Sequence, residues 1–237
     1  MIAYLGKYLI LMTQVFRRPD KGRMFRRQLM VELQSLGVDS LGIVGIISTF
    51  MGAVVAIQTA YNIDSPLIPL STVGFTVRQS VVLEFAPTVI SLILAGKVGS
   101  RVASEIGTMR VTGQIDAMHI MGVNAPNYLI LPKIMAAVMF NPLLIILSIF
   151  LCLFGGWAAC ISYDLVEGLQ SWFDPFTIVY ALIKTVIFAF IIVSVASFQG
   201  YIIKGGALDV GEASTKAVVM ASILIILFNL LLTQLLL

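Results

Sequence analysis

The stretch "LGIVGIISTFMGAVVAIQTAY" fills residues 41 to 61 without one charged side chain. The nearest charges on either side are Asp39 and Asp64. A helix of about 20 residues rises roughly 30 Å, which is the thickness of the hydrocarbon core of a bilayer. We therefore predict a membrane-spanning helix from Leu41 to Tyr61.

The composition of the whole chain agrees with that prediction. Of 237 residues, 59% are hydrophobic and only 11% are charged, and the mean hydropathy is +1.01. These values lie far outside the range of soluble globular domains. No ten-residue stretch alternates polar and apolar residues as a membrane strand does. We predict an all-α integral membrane protein with four further spans, at about Val73 to Gly96, Ile134 to Ile161, Phe176 to Tyr201 and Ala217 to Leu237.

The basic residues are distributed unequally between the connecting segments. The loops at about 62 to 72 and 162 to 175 hold four acids and no lysine or arginine, whereas thirteen of the fifteen basic residues lie in the other segments outside the spans. Cytoplasmic loops carry the excess of lysine and arginine in membrane proteins. The pattern predicts a cytoplasmic N-terminus and an external C-terminus. The four acids are Asp64, Asp164, Glu167 and Asp174.

The segment before the first span, residues 1 to 35, has its own pattern. Apolar residues recur at helical spacing up to Phe16, and the basic run "RRPDKGRMFRR" follows at residues 17 to 27. This order is typical of an amphipathic helix lying in the cytoplasmic interface. A signal peptide is disfavoured because Lys7 interrupts the apolar run and the main charge cluster follows it. A disordered basic leader is the alternative. The apolar positions are Ile2, Leu5, Leu9, Met12 and Phe16.

Patterns that would indicate catalysis or metal binding are missing from the sequence. His119 has no cysteine or histidine at ligand spacing, which disfavours a metal site. In "AGKVGS", Lys97 is followed by Val98, and the glycine that a phosphate-binding loop needs upstream is missing. We predict that the chain is not an enzyme and has no cofactor, metal or nucleic-acid partner.

A polar stretch at residues 97 to 133 separates the second and third predicted spans. Apolar positions at helical spacing, interrupted by glycine, predict two short amphipathic helices on the cytoplasmic side. Methionines there would form an adaptable surface of the kind that seats a helix in a partner's groove. A hairpin packed only on its own bundle is the alternative. The apolar positions are Val102, Ile106 and Met109, then Ile115 and Met118, and the third methionine is Met121.

A longer stretch, "EFAPTVISLILAGKVGSRVASEIGTMRVTGQIDAMHIMGV" at residues 84 to 123, resembles the signature of MlaE-type permeases. These are the membrane subunits of MCE-associated ABC lipid transporters. The likeness lies in Glu-x-x-Pro (Glu84, Pro87), Ala-Gly-Lys-x-Gly-Ser (95 to 100), Glu-Ile-Gly-x-Met-Arg (105 to 110) and Gln-Ile-Asp-Ala-Met (114 to 118). "LIKTVIFAF" at 182 to 190 and "FQGY" at 198 to 201 agree more loosely. Gly113 stands where the family usually has a glutamate.

The resemblance implies a single permease domain over residues 1 to 237, with the transmembrane bundle at 41 to 237 and a cytoplasmic coupling helix within 101 to 126. It implies a homodimer in the bacterial inner membrane that binds a separate cytoplasmic ABC ATPase. Together they would move glycerophospholipid between that membrane and a periplasmic MCE-domain protein. The residues that the resemblance assigns to ATPase coupling are Glu105, Met109, Arg110, Gln114, Ile115, Asp116 and Met118.

The resemblance also indicates a lipid site between the subunits, with Glu84, Phe85 and Lys184 as candidate contacts. A charge at the centre of a span costs about 2.5 to 3.5 kcal/mol on insertion scales, so each charged side chain needs a partner. Glu84 could contact a head group or form a structural ion pair. Lys184 could attract a phosphate or neutralise Glu84.

Two other functions are compatible with the same residues. An ion-coupled carrier or channel could use Glu84, Arg78 and Lys184 as a charge relay. A membrane anchor for an ATPase would transport nothing. The carrier would transport with an ion gradient and no ATPase. With the anchor, filling the cavity with bulky residues would leave lipid movement unchanged.

Overall fold

The computed structural model describes residues 2–17, 22–63, 71–160 and 175–236, and every regular element in these ranges is helical. Within these ranges, five helical segments are long and apolar enough to cross a membrane. The predicted orientation depends on the acidic loops at about 62 to 72 and 162 to 175, and most of their residues lie outside the described ranges. The α-helices are α1 Ile2–Val15, α2 Gly22–Glu32, α3 Leu41–Asn62, α4 Ser71–Ser80, α5 Ile90–Leu94, α6 Ser100–Val111, α7 Gln114–Ile120, α8 Ala125–Ala159, α9 Pro175–Tyr201 and α10 Ala207–Leu236.

The first span matches its prediction, since α3 runs from Leu41 to Asn62. It does not begin at a loop. A π-helical turn, Leu33–Gly37, and a 3₁₀ turn, Val38–Ser40, join α2 to α3 without a break in the helical path. The α2 helix and the first span therefore form one continuous helical path, since the chain has no proline between Gly22 and Asn62.

The α3 and α8 helices cross at a point where neither has room for a side chain. A Cβ atom added at Gly52 would collide with the carbonyl oxygen of Cys152, and one added at Gly155 would collide with the carbonyl oxygen of Thr49. Small residues allow such close backbone approach between membrane helices. Nearby, Ser48 Oγ donates a hydrogen bond to Ser148 Oγ across 2.9 Å.

The helical segment that contains the second predicted span extends beyond it. Helical structure continues from Ser71 through π-helical stretches at Val81–Val89 and Ala95–Gly99 to the end of α6 at Val111. The helix therefore continues past Gly96, where the predicted membrane span ends. Hydropathy falls there because Lys97 and Arg101 follow, but polar side chains do not break a helix whose other face remains buried.

Two other helix starts differ from the prediction for the same reason. The third span was predicted to begin at Ile134 and the fifth at Ala217, whereas α8 begins at Ala125 and α10 at Ala207. The polar stretch at residues 97 to 133 is therefore mostly helix, with turns only at 112 to 113 and 121 to 124.

The most buried helix is α9. Its residues from Ile191 to Gly200 are almost all buried, and it packs against α6, α8 and α10. By contrast, only 11% of the residues in the 18-residue apolar stretch of α10 are buried within one chain. An apolar helix that is uncovered by its own chain must face lipid or another protein.

Helix α1 forms where the 3.6-residue spacing predicts it, but it has two apolar faces. Leu11, Met12 and Val15 are buried against the bundle, while Leu5 and Leu9 are exposed. The buried side is fixed to α9, where Tyr4 Oη donates to Gln199 Oε1 and Tyr8 Oη donates to Ser194 Oγ, each over 2.9 Å.

Candidate functional site

A charged pair lies between the second and fourth spans. Lys184 on α9 has no exposed side-chain surface, and its Nζ lies 2.7 Å from Oε1 of Glu84. The ring of Tyr180 lies 4.4 Å from the same nitrogen. The structure therefore places Glu84 and Lys184 in direct contact, so that each provides the partner that a charge inside a span requires.

Side chains of the fifth span complete the shell around Glu84. Asn229 Nδ2 donates to Oε2 over 2.9 Å, and Thr233 Oγ1 lies 3.3 Å from Oε1. Thr88 Oγ1 lies 3.3 Å from Oε2. Despite these partners the Glu84 side chain is 41% exposed in the single chain. We call Glu84, Lys184, Thr88, Asn229 and Thr233 the polar cluster.

Sequence reasoning missed Asn229 and Thr233. The available signal was their spacing, because residues four apart share one face of a helix. Both interrupt the otherwise apolar run of α10, and both point toward the same carboxylate. A search for polar residues at i and i+4 within apolar spans would have found them.

The second span also offers a backbone group to Lys184, since the Nζ atom lies 3.3 Å from the carbonyl oxygen of Leu83. Pro87, in the same segment, has no N–H to donate. The same segment, Val81–Val89, is π-helical, a distortion common at functional sites.

The other residues predicted near this site have different surroundings. Phe85 is half-buried and packs against the hydrophobic core. The guanidinium of Arg78 lies 5.3 Å from the ring centre of Phe75. Arg78 also lines a largely apolar cavity of about 260 Å³, whose walls include Val82 and Phe150.

A second candidate site lies at the end of the bundle where α6 and α7 meet. Two glycines with positive φ bound α7, Gly113 at 75° and Gly122 at 74°. Residues with a Cβ rarely adopt this conformation, and glycine adopts it readily. These glycines let α7 turn away from α6 and return to α8.

The residues predicted to contact an ATPase do not all lie on the surface. Ile115 is fully buried, and Met109 and Met118 are half-buried against the core. Gln114 and Asp116 are exposed, and Arg110 Nη1 lies 2.6 Å from Asp116 Oδ1. Glu105 Oε2 lies 2.8 Å from Lys133 Nζ.

The most exposed apolar side chains of this region were not among the predicted contacts. Ile120 is 88% exposed and Met121 is 70% exposed at the end of α7. Beside them, His119 Nε2 lies 3.1 Å from Tyr201 Oη, and the guanidinium of Arg110 lies 5.8 Å from the same ring. Large uncovered apolar side chains on a fixed helix are typical of an interaction surface. We call Gln114, Asp116, His119, Ile120 and Met121 the α7 surface.

Comparisons with known proteins agree with the sequence resemblance. The family model "Permease MlaE" matches residues 29–235. A probable ABC transporter permease protein of Rickettsia bellii is 33% identical, covering 98% of this chain and 91% of its own length. An intermembrane phospholipid transport system permease protein of Haemophilus influenzae is 30% identical, covering 86% of this chain and 81% of its own length. A chloroplastic Arabidopsis thaliana protein, TRIGALACTOSYLDIACYLGLYCEROL 1, is 32% identical, covering 90% of this chain and 62% of its own length.

Proposed function

The chain belongs to the MlaE permease family and is a multi-pass membrane protein; from this we propose that it moves glycerophospholipid between the bacterial inner membrane and an MCE-domain protein. In this proposal two copies form the membrane part of an ABC transporter. A separate cytoplasmic ATPase supplies the energy, and an MCE-domain protein outside exchanges lipid with the permease. The N-terminus lies in the cytoplasm, and the mostly apolar helix α1 and the basic helix α2 lie at that membrane surface.

The single observation that carries the proposal is the exposure of the α7 surface. A helix that only supported its own bundle would bury its large apolar side chains, whereas Ile120 and Met121 are left uncovered. They stand among the polar side chains Gln114, Asp116 and His119, which are also exposed. An apolar centre with a polar rim is the usual composition of a protein interface.

The firm attachment of α7 also supports a mechanical role. Ile115 anchors α7 in the core, and the turn glycines fix its direction. The ion pair of Arg110 with Asp116 and the contact of His119 with Tyr201 tie it to α6 and α9. An ATPase that binds the α7 surface and moves would therefore displace α6 and α9 together with α7.

We propose that the polar cluster is the part of the cavity that meets the lipid head group. Lipid pockets are apolar with a few polar groups placed at one end. Lys184 is fully buried, so its role is to hold Glu84 in place as a neutral pair. Glu84 has an accessible face and is the side chain that would contact the head group. Phe85, the neighbour of Glu84, would contact the acyl region.

The exposure of α10 supports a homodimer whose cavity lies between the subunits. Asn229 and Thr233 stand on a helix whose apolar surface is mostly uncovered in one chain. A two-fold partner would cover that face and enclose the exposed side of Glu84. Symmetry is also expected because one chain has one α7 surface, whereas an ABC motor has two ATPase subunits.

The proposal is tested by purifying the tagged protein in mild detergent and identifying co-purifying proteins and bound lipid by mass spectrometry. We expect an ATPase, an MCE-domain protein and glycerophospholipid. The complex is then reconstituted in vesicles with fluorescent phospholipid. Transfer should require ATP, and an ion gradient alone should not support it.

Two results would contradict the proposal. Transport driven by an ion gradient in the absence of an ATPase would establish the charge-relay carrier. Undiminished lipid movement after bulky substitutions around the polar cluster would show that the cavity carries nothing, as expected of an anchor. The matched control places the same bulky residue on the exposed face of α3, for example at Val54, which is 56% exposed.

A further inference from the structure

A second group of buried charges lies at the cytoplasmic end of the bundle, apart from the polar cluster. Lys133 Nζ lies 2.7 Å from Glu32 Oε1 and 2.8 Å from Glu105 Oε2. Gln28 Nε2 donates a further hydrogen bond to Glu32 Oε1 over 3.1 Å. We call Lys133, Glu32 and Glu105 the Lys133 cluster.

The three members of the Lys133 cluster differ in burial. The Lys133 side chain is 2% exposed and that of Glu32 is 4% exposed, whereas Glu105 is 36% exposed. Lys133 and Glu32 form a neutral buried pair, which needs both partners to stay charged without water. Glu105 is the third, partly solvated member, so it can lose its charge without leaving a buried ammonium unpaired.

The cluster joins three parts of the chain that are distant in sequence. Glu32 ends α2 and immediately precedes the helical turns that lead into the first span. Lys133 belongs to α8, and Glu105 lies in the middle of α6, one helix before the α7 surface. In the sequence, Lys133 is one of the basic residues between the second and third predicted spans, and the family resemblance places Glu105 among the ATPase-coupling residues.

We propose that Glu105 is a positioning residue that transmits motion of α6 and α7 to the first and third spans through Lys133. This inference rests on the proposed function. When an ATPase displaces the α7 surface, α6 moves with it, and the bond from Glu105 to Lys133 carries the displacement to α8 and, through Glu32, to α2 and α3. The bond joins a buried ammonium to a partly exposed carboxylate, and a charge-assisted hydrogen bond is short and directional, as this role requires.

An exposed ion pair also joins α6 to the turn before α3, but it is a weaker connection than the Lys133 cluster. Arg101 Nη1 lies 3.2 Å from Asp39 Oδ2, and both side chains are about half exposed. Exposed ion pairs contribute little because water and salt screen them. In the Lys133 cluster, Lys133 and Glu32 are buried and Glu105 is 36% exposed, so the cluster is less screened than the pair of Arg101 and Asp39 and is the stronger mechanical link.

The test compares E105Q and E105D with the wild type in the reconstituted complex of permease and ATPase. Co-purified ATPase, ATP hydrolysis and phospholipid transfer are measured on the same samples. E105Q removes the charge, and E105D keeps the charge but is one methylene too short to reach Lys133. E212Q is the matched control, because Glu212 forms an exposed ion pair with Lys216 on α10.

We expect both Glu105 variants to retain the ATPase and to hydrolyse ATP at the wild-type rate. Lipid transferred per ATP should fall by about tenfold, the equivalent of about 1.4 kcal/mol lost from the link. E212Q should leave this ratio unchanged.

Two outcomes would overturn the inference. Loss of the ATPase from E105Q but not from E105D would show that Glu105 is a direct contact. An unchanged ratio of transfer to hydrolysis in both variants would show that no motion passes through it. A wild-type complex that transfers no lipid contradicts the proposed function instead, so the two failures can be told apart.

Discussion

Replacing Lys184 with methionine, K184M, gives the most direct measurement of the polar cluster. Methionine fills a similar volume and removes the ammonium that lies 2.7 Å from Glu84 Oε1. Breaking a buried ion pair by deleting one partner costs about 3 to 5 kcal/mol, because the other charge stays behind unpaired. The decrease in the free energy of unfolding depends on how well the remaining charge is solvated.

Glu84 is partly exposed and Lys184 is fully buried, so removing one partner should destabilise the protein by a different amount than removing the other. After K184M, Glu84 keeps the hydrogen bond from Asn229 and an exposed face, which places the loss at the lower end, about 3 kcal/mol. After E84Q, the ammonium of Lys184 stays fully buried, which places the loss at the upper end, about 5 kcal/mol. The double variant E84Q/K184M leaves neither charge and should be close to wild type.

The assay is equilibrium unfolding of the detergent-solubilised protein, followed by helical circular dichroism over an SDS series. The four proteins of the double-mutant cycle are compared with K216M, which removes an exposed cation from the pair with Glu212 and should change stability little. Additive losses for E84Q and K184M in the double variant would refute the reasoning. So would a larger loss for K184M than for E84Q.

Three further predictions concern contacts elsewhere in the chain. Replacing both Ile120 and Met121 with serine should reduce the co-purifying ATPase by at least about tenfold without changing unfolding, since these side chains are exposed and touch little of their own chain; unchanged recovery of the ATPase would remove the α7 surface from the interface. Gly155→Leu should destabilise the protein by about 3 kcal/mol or more, because its side chain must displace the backbone of α3; Gly6→Leu, where the space is open, is the control. Asn127→Leu should free the end of α1, because Asn127 Nδ2 lies 2.6 Å from the carbonyl oxygens of both Val15 and Arg17, and limited proteolysis should then cut near residue 17 faster than in the wild type.

The Lys133 cluster illustrates what sequence patterns miss. Lys133 looks like an ordinary cytoplasmic cation beside an apolar span, and Glu32 ends a strongly basic helix. The two carboxylates that contact Lys133, those of Glu32 and Glu105, are 101 and 28 residues away from it in the chain, so a short sequence segment does not contain these contacts. Only the packing of α2, α6 and α8 brings one ammonium between two carboxylates.

The α7 surface illustrates a different limit. The spacing of apolar residues places helices near residues 102 to 118, and the structure has α6 and α7 there. Spacing alone could not tell which apolar residues face the bundle, since Ile115 and Ile120 have the same chemistry. Tertiary packing buries the first and leaves the second exposed.

The sequence by itself determined the number of spans, the all-helical class and the family. These follow from uncharged runs about as long as a bilayer is thick and from one contiguous motif, which are local properties of the chain. Tertiary structure decided which charges meet, where the helices end and which side chains remain uncovered. It decides them because a charge removed from water needs a nearby partner, and that partner can come from any part of the chain that folding brings within about 3 Å.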